Sequence, residues 1–472
     1  MKTRALAFIA LVTVTACAPG PKYVRPETPA PPAFKESAGW QPARPQDEVL
    51  RGKWWELFQD PALNALEERV TVSNQTLRAA QAQFAEARAA LRFARASQMP
   101  EVSAGASVTN YNQSYNQPLW NDTSPTHYND YLLHLDAAYE IDVWGRLRAG
   151  VAARLATAQA SAADVETVSL SLHAELASDY LALRALDADR EILDSSVEAY
   201  QKALELTRNR YKGGVASAVD VAQAETQLET TRAQAVDIRA RRAQVEHGIA
   251  VLVGEPASSV TLPSAPLAGE TPVIPAGLPS DLLERRPDIA AAERRVAAAN
   301  AQIGVAAAAF FPALTLTGST GFESVALVDL LRSLSGFWLA GPAVAVTLFD
   351  GGRRRSVSDQ AKAEYEHAVA LYQETALTAF RDVEDALVAL RVLADEAAVQ
   401  QAALAASERS LALSFNRYKG GVATYLEVVT AQNAVLASRR AVLDVLTRRL
   451  TATVFLVKAL GGGWHASPSP AL

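Results

Sequence analysis

The sequence predicts an α+β membrane protein, in which a few strands per chain join a shared β-barrel and very long helices continue from it. Three observations lead there. The chain spells one stretch twice: Arg210-Tyr211-Lys212-Gly213-Gly214-Val215-Ala216-Ser217 returns as Arg417-Tyr418-Lys419-Gly420-Gly421-Val422-Ala423-Thr424, seven consecutive residues matching. Each copy closes a proline-free run of helix formers, Arg146 to Tyr211 and Arg353 to Tyr418. About 66 residues at the α-helical rise make a rod on the order of 100 Å long, more than a globular domain needs. Before each run, apolar and polar residues alternate with period two, the mark of strands.

Taken in order, Met1 to Ala16 has a secretory layout: Lys2 and Arg4, an apolar run from Ala5 to Val14, then small residues. That run is too short to cross a bilayer as a helix. Cys17, the only cysteine, follows it directly and has no internal disulfide partner. Residues 17–59 form a Pro-rich tether ending in Trp54-Trp55 and Phe58. Asp60-Pro61 is an N-cap followed by proline at the first helical position, and starts a helix expected to reach Ala96.

Strands are expected where Val102, Ala104, Ala106 and Val108 alternate with Ser103, Gly105, Ser107 and Thr109, and again from Leu133 to Val143. The polar stretch from Asn110 to Asp130 reads as a loop between them. The second strand carries His134, Asp136, Glu140 and Asp142 on one face and apolar residues on the other. Two settings fit: a half-buried sheet, or a barrel wall with lipid outside and water inside. The leader favours the barrel. The first long helix, the first tip and a return helix to about Val253 complete a first repeat, 60–254. A Pro-rich linker spans 255–279. The second repeat, 280–461, replays the order, with strands at Ala313–Phe322 and Ala343–Phe349. A tail, 462–472, ends the chain.

At each tip Gly-Gly supplies a left-handed residue to end one helix. Ser217 with Asp220, and Thr424 with Glu427, have capping-box spacing to start the next. Four strands cannot close a barrel alone, and a membrane does not tolerate open edges, so chains must pool strands: three would give 12 and four would give 16.

The whole mature chain resembles the TolC-like outer-membrane factors of tripartite efflux pumps, in their lipoprotein, NodT/OprM-like branch. The matching residues are Cys17 with Gly20-Pro21-Lys22-Tyr23-Val24-Arg25-Pro26; Trp54-Trp55-Glu56-Leu57-Phe58-Gln59-Asp60-Pro61; Leu283-Glu284-Arg285-Arg286-Pro287-Asp288-Ile289; Ala309-Phe310-Phe311-Pro312; Leu348-Phe349-Asp350-Gly351-Gly352-Arg353; both tips; and Lys458-Ala459-Leu460-Gly461-Gly462-Gly463-Trp464. The resemblance implies a homotrimer with a 12-stranded outer-membrane barrel, continued by a periplasmic α-helical barrel. It also implies a passive exit duct docked to a periplasmic adaptor and an inner-membrane transporter. Gly213, Gly214, Val215, Ala216 and Ser217, with Gly420, Gly421, Val422, Ala423 and Thr424, would be the adaptor-docking tips. Asp220 and Glu427 would ring the periplasmic aperture, with capping as the compatible structural role. Where several relatives carry a further Asp one turn on, this chain has Gln223 and Thr430, so a double acidic ring is not expected.

Enzyme readings find no support in motifs. His127, His134, His173, His247, His367 and His465 are scattered, and there is no HExxH, Cys/His cluster, GxSxG, P-loop or GxGxxG. Asp136, Glu140 and Asp142, with His134, read as a wet pore lining rather than catalytic carboxylates. No cofactor or metal is expected, apart from covalent lipid on Cys17. The formal net charge of −6 gives no nucleic-acid profile. The expected location is the outer membrane, lipid-anchored and reaching into the periplasm. The cargo reading is broad export of small toxic compounds. Metal-ion efflux or type I secretion through the same fold are alternatives, and a channel-free periplasmic stalk is the alternative of another class. Paired amphipathic strands argue against the stalk.

Cys17→Ser should weaken anchoring or maturation without destroying the assembly, because a barrel already holds the protein in the membrane. Mass spectrometry of the mature N-terminus checks this: an unmodified thiol, or a start elsewhere, would end the lipidation reading.

Overall fold

The computed structural model describes residues 20–28, 30–31, 33–36, 53–116, 125–267, 271–272, 274 and 285–462. The expected signal peptide, Cys17, Leu283-Glu284 and the tail beyond Gly462 lie outside the described residues. The main elements are α1 (Pro61–Ser73), α2 (Gln75–Ala96), β1 (Glu101–Asn112), β2 (His127–Glu140), α3 (Arg146–Lys212), α4 (Ala218–Leu252), α5 (Pro287–Ala308), β3 (Ala313–Ser324), β4 (Gly336–Ala345), α6 (Arg353–Lys419) and α7 (Tyr425–Ala459). The two longest helices, α3 and α6, have 67 residues each, and the return helices α4 and α7 have 35 each. The chain divides into two compact units.

One unit takes the N-terminal segment to Glu27, Gln83–Ser161 and Ala291–Tyr372. It holds a single antiparallel sheet in the order β1-β2-β3-β4. The β1–β2 register pairs Val102 with Ala137, Ala104 with Leu135, Ala106 with Leu133 and Val108 with Tyr131 on one face. Ser103 opposes Asp136, Gly105 opposes His134, and Thr109 opposes Asp130 on the other. Among the described residues neither face is covered: Val102 and Trp338 on the apolar face are 67% and 79% exposed, and Leu339 on the other is 56% exposed. A half-buried globular sheet would hide its apolar side. This one leaves it exposed.

The strands differ from the sequence reading at their ends. β1 and β2 run on into the expected loop, where Asn110 Nδ2 donates to Asn129 Oδ1 at 2.8 Å and Tyr111 stacks on Tyr128 at 5.1 Å. Cross-strand pairs of this kind stabilise a hairpin that composition alone marks as loop. β4 occupies Gly336–Ala345 rather than 343–349. Pro342 lies within β4, opposite Leu316 of β3.

The N-terminal segment lies along helices of the same unit. Asn300 Nδ2 donates to Pro21 O at 3.0 Å, the Tyr23 hydroxyl donates to Glu293, and Arg25 Nε donates to Tyr372 Oη at 3.0 Å.

The other unit takes Thr28–Ala82, Ala162–Ala290 and Gln373–Leu472. Its core packs Trp54, Trp55, Phe58, Leu63 and Val70 against Leu176, Tyr180, Ile249, Val383 and Val454. Asp60 caps α1, accepting from the Ala62 and Leu63 amides at 2.8 and 3.2 Å. The helix expected to reach Ala96 breaks at Asn74 (φ −65°, ψ 126°). Asn74 Oδ1 accepts from Leu77 N at 2.9 Å to start α2, while its Nδ2 donates to Leu252 O at 2.8 Å. A local side-chain cap and a distant carbonyl together outcompete helix continuation.

The linker is pinned by charge. Arg184 Nη1 donates to Pro263 O and Arg242 Nη2 to Leu262 O, both at 2.7 Å. Leu262 N donates to Glu246 at 2.7 Å. Buried Asp187 pairs with Arg184 at 3.1 Å and Arg242 at 2.6 Å. Burial pushes its carboxyl up, but the Arg242 hydrogen bond and charge outweigh that and hold it below the usual range.

Glu67 is fully buried, with Oε2 2.6 Å from His173 Nδ1, and Trp55 stacks on that ring at 4.5 Å. Burial raises the Glu67 pKa to about 9 and lowers that of His173 to about 4. Folded Glu67 keeps a proton that the unfolded carboxyl loses near about pH 4.3. Stability therefore falls as pH rises from there to about 9. His173 works oppositely between about pH 4 and 6.5, where only the unfolded ring binds a proton. The two offset at acid pH, and the Glu67 slope alone remains above it. Glu67→Gln should flatten the loss of melting temperature between about pH 6.5 and 9; equal slopes in variant and parent would refute the assignment.

Candidate functional site

Each tip is a complete Schellman turn. Val215 N donates to Arg210 O at 2.9 Å and Gly214 N to Tyr211 O at 2.9 Å; Val422 N donates to Arg417 O at 3.1 Å and Gly421 N to Tyr418 O at 3.0 Å. The left-handed residues are Gly214 (φ 72°) and Gly421 (φ 78°), positions where a Cβ would strain the backbone. Val215 and Val422 project as small apolar knobs, 66% and 69% exposed.

Beyond the turns the copies diverge. Ser217 and Asp220 form the expected capping box: Ser217 N donates to Asp220 Oδ2 at 2.9 Å, and Asp220 N to Ser217 Oγ at 3.1 Å. Thr424 makes no side-chain cap, which corrects the second capping box. Glu427 instead turns toward Arg417, at 3.9 Å, drawn by a cation rather than by its own N-cap amide. Thr430 bonds back to Leu426 O at 2.8 Å. Both carboxylates lie in the first turn of their helices, where the helix dipole favours negative charge.

The matching tyrosines also part ways. Tyr211 is half exposed, whereas Tyr418 is buried beside Tyr425, their rings 5.4 Å apart. Tyr200, Leu204, Leu228 and Val428 complete that cluster. Arg210 joins the tips: its guanidinium lies 4.7 Å from the Tyr418 ring centroid, and Nη1 donates to Lys419 O at 3.1 Å. An orphan carbonyl at the end of α6 is thus capped from the other hairpin. Sequence reading missed Arg210 and Tyr425. The available signal was the break in repetition after the tips, Ala218-Val219 against Tyr425-Leu426.

On the barrel wall, His134 and Asp136 share the polar face of β2, with His134 Nε2 3.1 Å from Asp136 Oδ2. Gly105 leaves room for the imidazole; a Cβ there would lie 2.6 Å from the ring. Glu140 ends the strand in a two-pronged pair with Arg146, at 2.9 and 2.6 Å. Asp142 is not a strand residue, which corrects its expected place in the pore-facing strand. It follows β2 and accepts from the Leu147 and Arg148 amides at 3.1 and 2.9 Å, anchoring the start of α3. Alternation carried past Glu140 in the sequence, but an acceptor at a helix N-terminus satisfies orphan amides. The uncompensated acidity of this wall is smaller than the residue types suggest. Among the described residues no group of three His, Cys, Asp or Glu side chains is placed to hold a metal ion, and no helix is long and apolar enough to cross a membrane.

The family model described as "Outer membrane efflux protein" matches residues 66–255 and 278–462. The chain belongs to that family. It is 32% identical over 452 residues to a toluene efflux pump outer membrane protein, TtgC of Pseudomonas putida, covering 95% of this chain and 93% of the relative. It is 33% identical over 419 residues to the pyoverdine export outer membrane protein OpmQ of Pseudomonas aeruginosa, covering 88% of each. Among solved structures, the outer-membrane channel OprN superposes with a TM-score of 0.90 at 31% identity, over 95% of this chain and all of that one. The Campylobacter jejuni CmeC outer membrane channel gives 0.90 at 25%, over 96% of each. The fold is that of the TolC-like outer-membrane channels, and this efflux protein is a channel of the outer membrane that extends into the periplasm.

Arg210→Ala should loosen the clasp between the tips without unfolding the helices. Hydrogen exchange of the 417–424 amides should rise several-fold while that of the α3 core stays unchanged; no change at the second tip would show that the clasp carries nothing.

Proposed function

We propose that three copies of this efflux protein close a 12-stranded barrel and form the passive exit duct of a tripartite pump. The observation that carries this is the four-stranded sheet, open at β1 and β4, exposed on both faces and followed in sequence by 67-residue helices. Cargo arrives from an inner-membrane transporter through a periplasmic adaptor, and the chain does no chemistry on it and holds no cofactor beyond lipid on Cys17. Two structural repeats, 60–254 and 280–461, joined by the 255–279 linker, account for the matched helix lengths. Residues 1–16 are the leader, 17–59 the lipidated tether and 462–472 the tail.

The paired tips, Gly213 to Ser217 and Gly420 to Thr424, dock the adaptor through Val215 and Val422. Asp220 and Glu427 ring the periplasmic aperture, six carboxylates around one axis in a trimer. His134 and Asp136 line the pore. The cargo is broad: small toxic compounds, in keeping with a relative named for toluene efflux.

Val215→Asp with Val422→Asp should abolish efflux while leaving a folded trimer; unchanged adaptor cross-linking would refute tip docking. A deletion strain should become sensitive to several unrelated hydrophobic drugs or dyes and regain resistance on complementation, and sensitivity confined to one metal ion would overturn the cargo reading. In planar bilayers, Asp220→Asn with Glu427→Gln should reduce cation selectivity and divalent block. If conductance, selectivity and block all stay the same, these carboxylates serve only the local contacts described above.

A further inference from the structure

The two hairpins of the sheet are copies of one another, and the copying extends to their register. β1 and β3 each have 12 residues and start just after a proline, Pro100 or Pro312, so Glu101 corresponds to Ala313. Gly145-Arg146 and Gly352-Arg353 open α3 and α6, so Ala138 corresponds to Ala345. The pairing agrees: Glu101 lies opposite Ala138 in the first hairpin, and Ala313 opposite Ala345 in the second. Within the chain the hairpins join at β2 and β3, where Glu140 lies opposite Thr315 and Ile141 N donates to Leu314 O at 2.8 Å. The equivalent joint between copies is β4 against β1.

At that joint the repeats differ in charge. Glu140 holds Arg146 in a two-pronged pair, but their counterparts are Thr347 and Arg353, so Arg353 has lost its carboxylate. Asp350 does not replace it. That residue pairs with Arg354 at 2.6 Å and accepts from the Gly352 and Arg354 amides. Among the described residues the Arg353 side chain meets no acid, and that of Glu101 meets no base. Leu348 and Phe349 are 90% and 89% exposed, whereas their counterparts Ile141 and Asp142 are half-buried beside the start of β3.

We propose that β4 pairs with β1 of the next copy in the register of β2 with β3, and that Glu101 of that copy supplies the carboxylate missing beside Arg353. This rests on the trimeric reading above. The transferred register sets Thr347 opposite Ser103, Leu348 opposite Val102 and Phe349 opposite Glu101 of the next copy. β4 ends at Ala345 in a single chain; against the next copy it continues to Leu348, whose amide donates to Val102 O. Glu101 shares a sheet face with Ser103, the face on which Glu140 meets Arg146 at the joint within the chain. It lies one diagonal step from Thr347, about 7 Å, a distance that a long side chain spans. Each copy thus closes one joint with its own ion pair and the other with a borrowed carboxylate, and two complementary charges left over in the single chain select the edge and the register.

Ser103→Cys with Thr347→Cys, in the full-length protein in outer-membrane vesicles, tests the register. The two sites lie at opposite ends of one chain's sheet, so only a link between copies forms. They make a non-hydrogen-bonded pair, whose Cα atoms approach to about 4.5 Å and accept a disulfide. Mild oxidation should give covalent trimers, with the parent, whose lone cysteine is Cys17, as background. Faster linking of Glu101→Cys with Thr347→Cys, the register slipped by two residues, would overturn the proposal. Charge reversal tests the ion pair. Arg353→Glu or Glu101→Arg alone should speed dissociation of the trimer in detergent about tenfold, and the two together should restore the parent rate. Single reversals without effect, or effects that the double reversal leaves unrelieved, would refute the borrowed carboxylate. Absence of a trimer in the parent would instead sink the assembly on which the proposal depends.

Discussion

In hydrocarbon no water is present to satisfy a free backbone N–H or C=O, and each one left unpaired costs several kcal/mol. That constraint governs this chain, because its sheet has two free edges, β1 and β4. A single copy is an incomplete object. The alternation along β1 and β2 places Leu133 and Leu135 on one face and His134 and Asp136 on the other.

The helices solve a different problem. Alanine-rich faces pack closely but bury little area each, so length alone does not hold them together. Stability in the second unit comes instead from concentrated sites. Trp54, Trp55 and Phe58 fill the space against Leu176 and Ile249, and Glu67 shares a proton-bearing contact with His173 beneath Trp55. Asp187 gathers Arg184 and Arg242, and both arginines hold linker carbonyls. Such pairs fix geometry more surely than they add stability, since burying charge has its own cost.

At the tips two near-identical turns meet different surroundings. Gly214 and Gly421 make the same turn, yet only Tyr418 is buried and only Arg210 reaches across to the other hairpin. The two tips are therefore one asymmetric unit with two separate apolar knobs. A partner that reads both meets different chemistry at each, despite the repeated sequence.

Periodicity and capping residues were enough to predict the long helices, both tips, the Asp60 cap and the first three strands, because these depend on local spacing: period two, proline-free runs, and Gly-Gly after a helix. What depended on contacts distant in sequence was not legible there. Asn74 breaks a helix because Leu252 O lies within reach, Asp142 leaves the strand because the first amides of α3 need an acceptor, and Thr424 gives up its cap as Glu427 turns to Arg417. β4 lies at Gly336–Ala345, earlier in the chain than the alternation placed it. Each of these outcomes was decided by which partner the tertiary fold brought closest, since a backbone or carboxylate group takes the nearest competent hydrogen bond or charge, whatever its sequence spacing suggests.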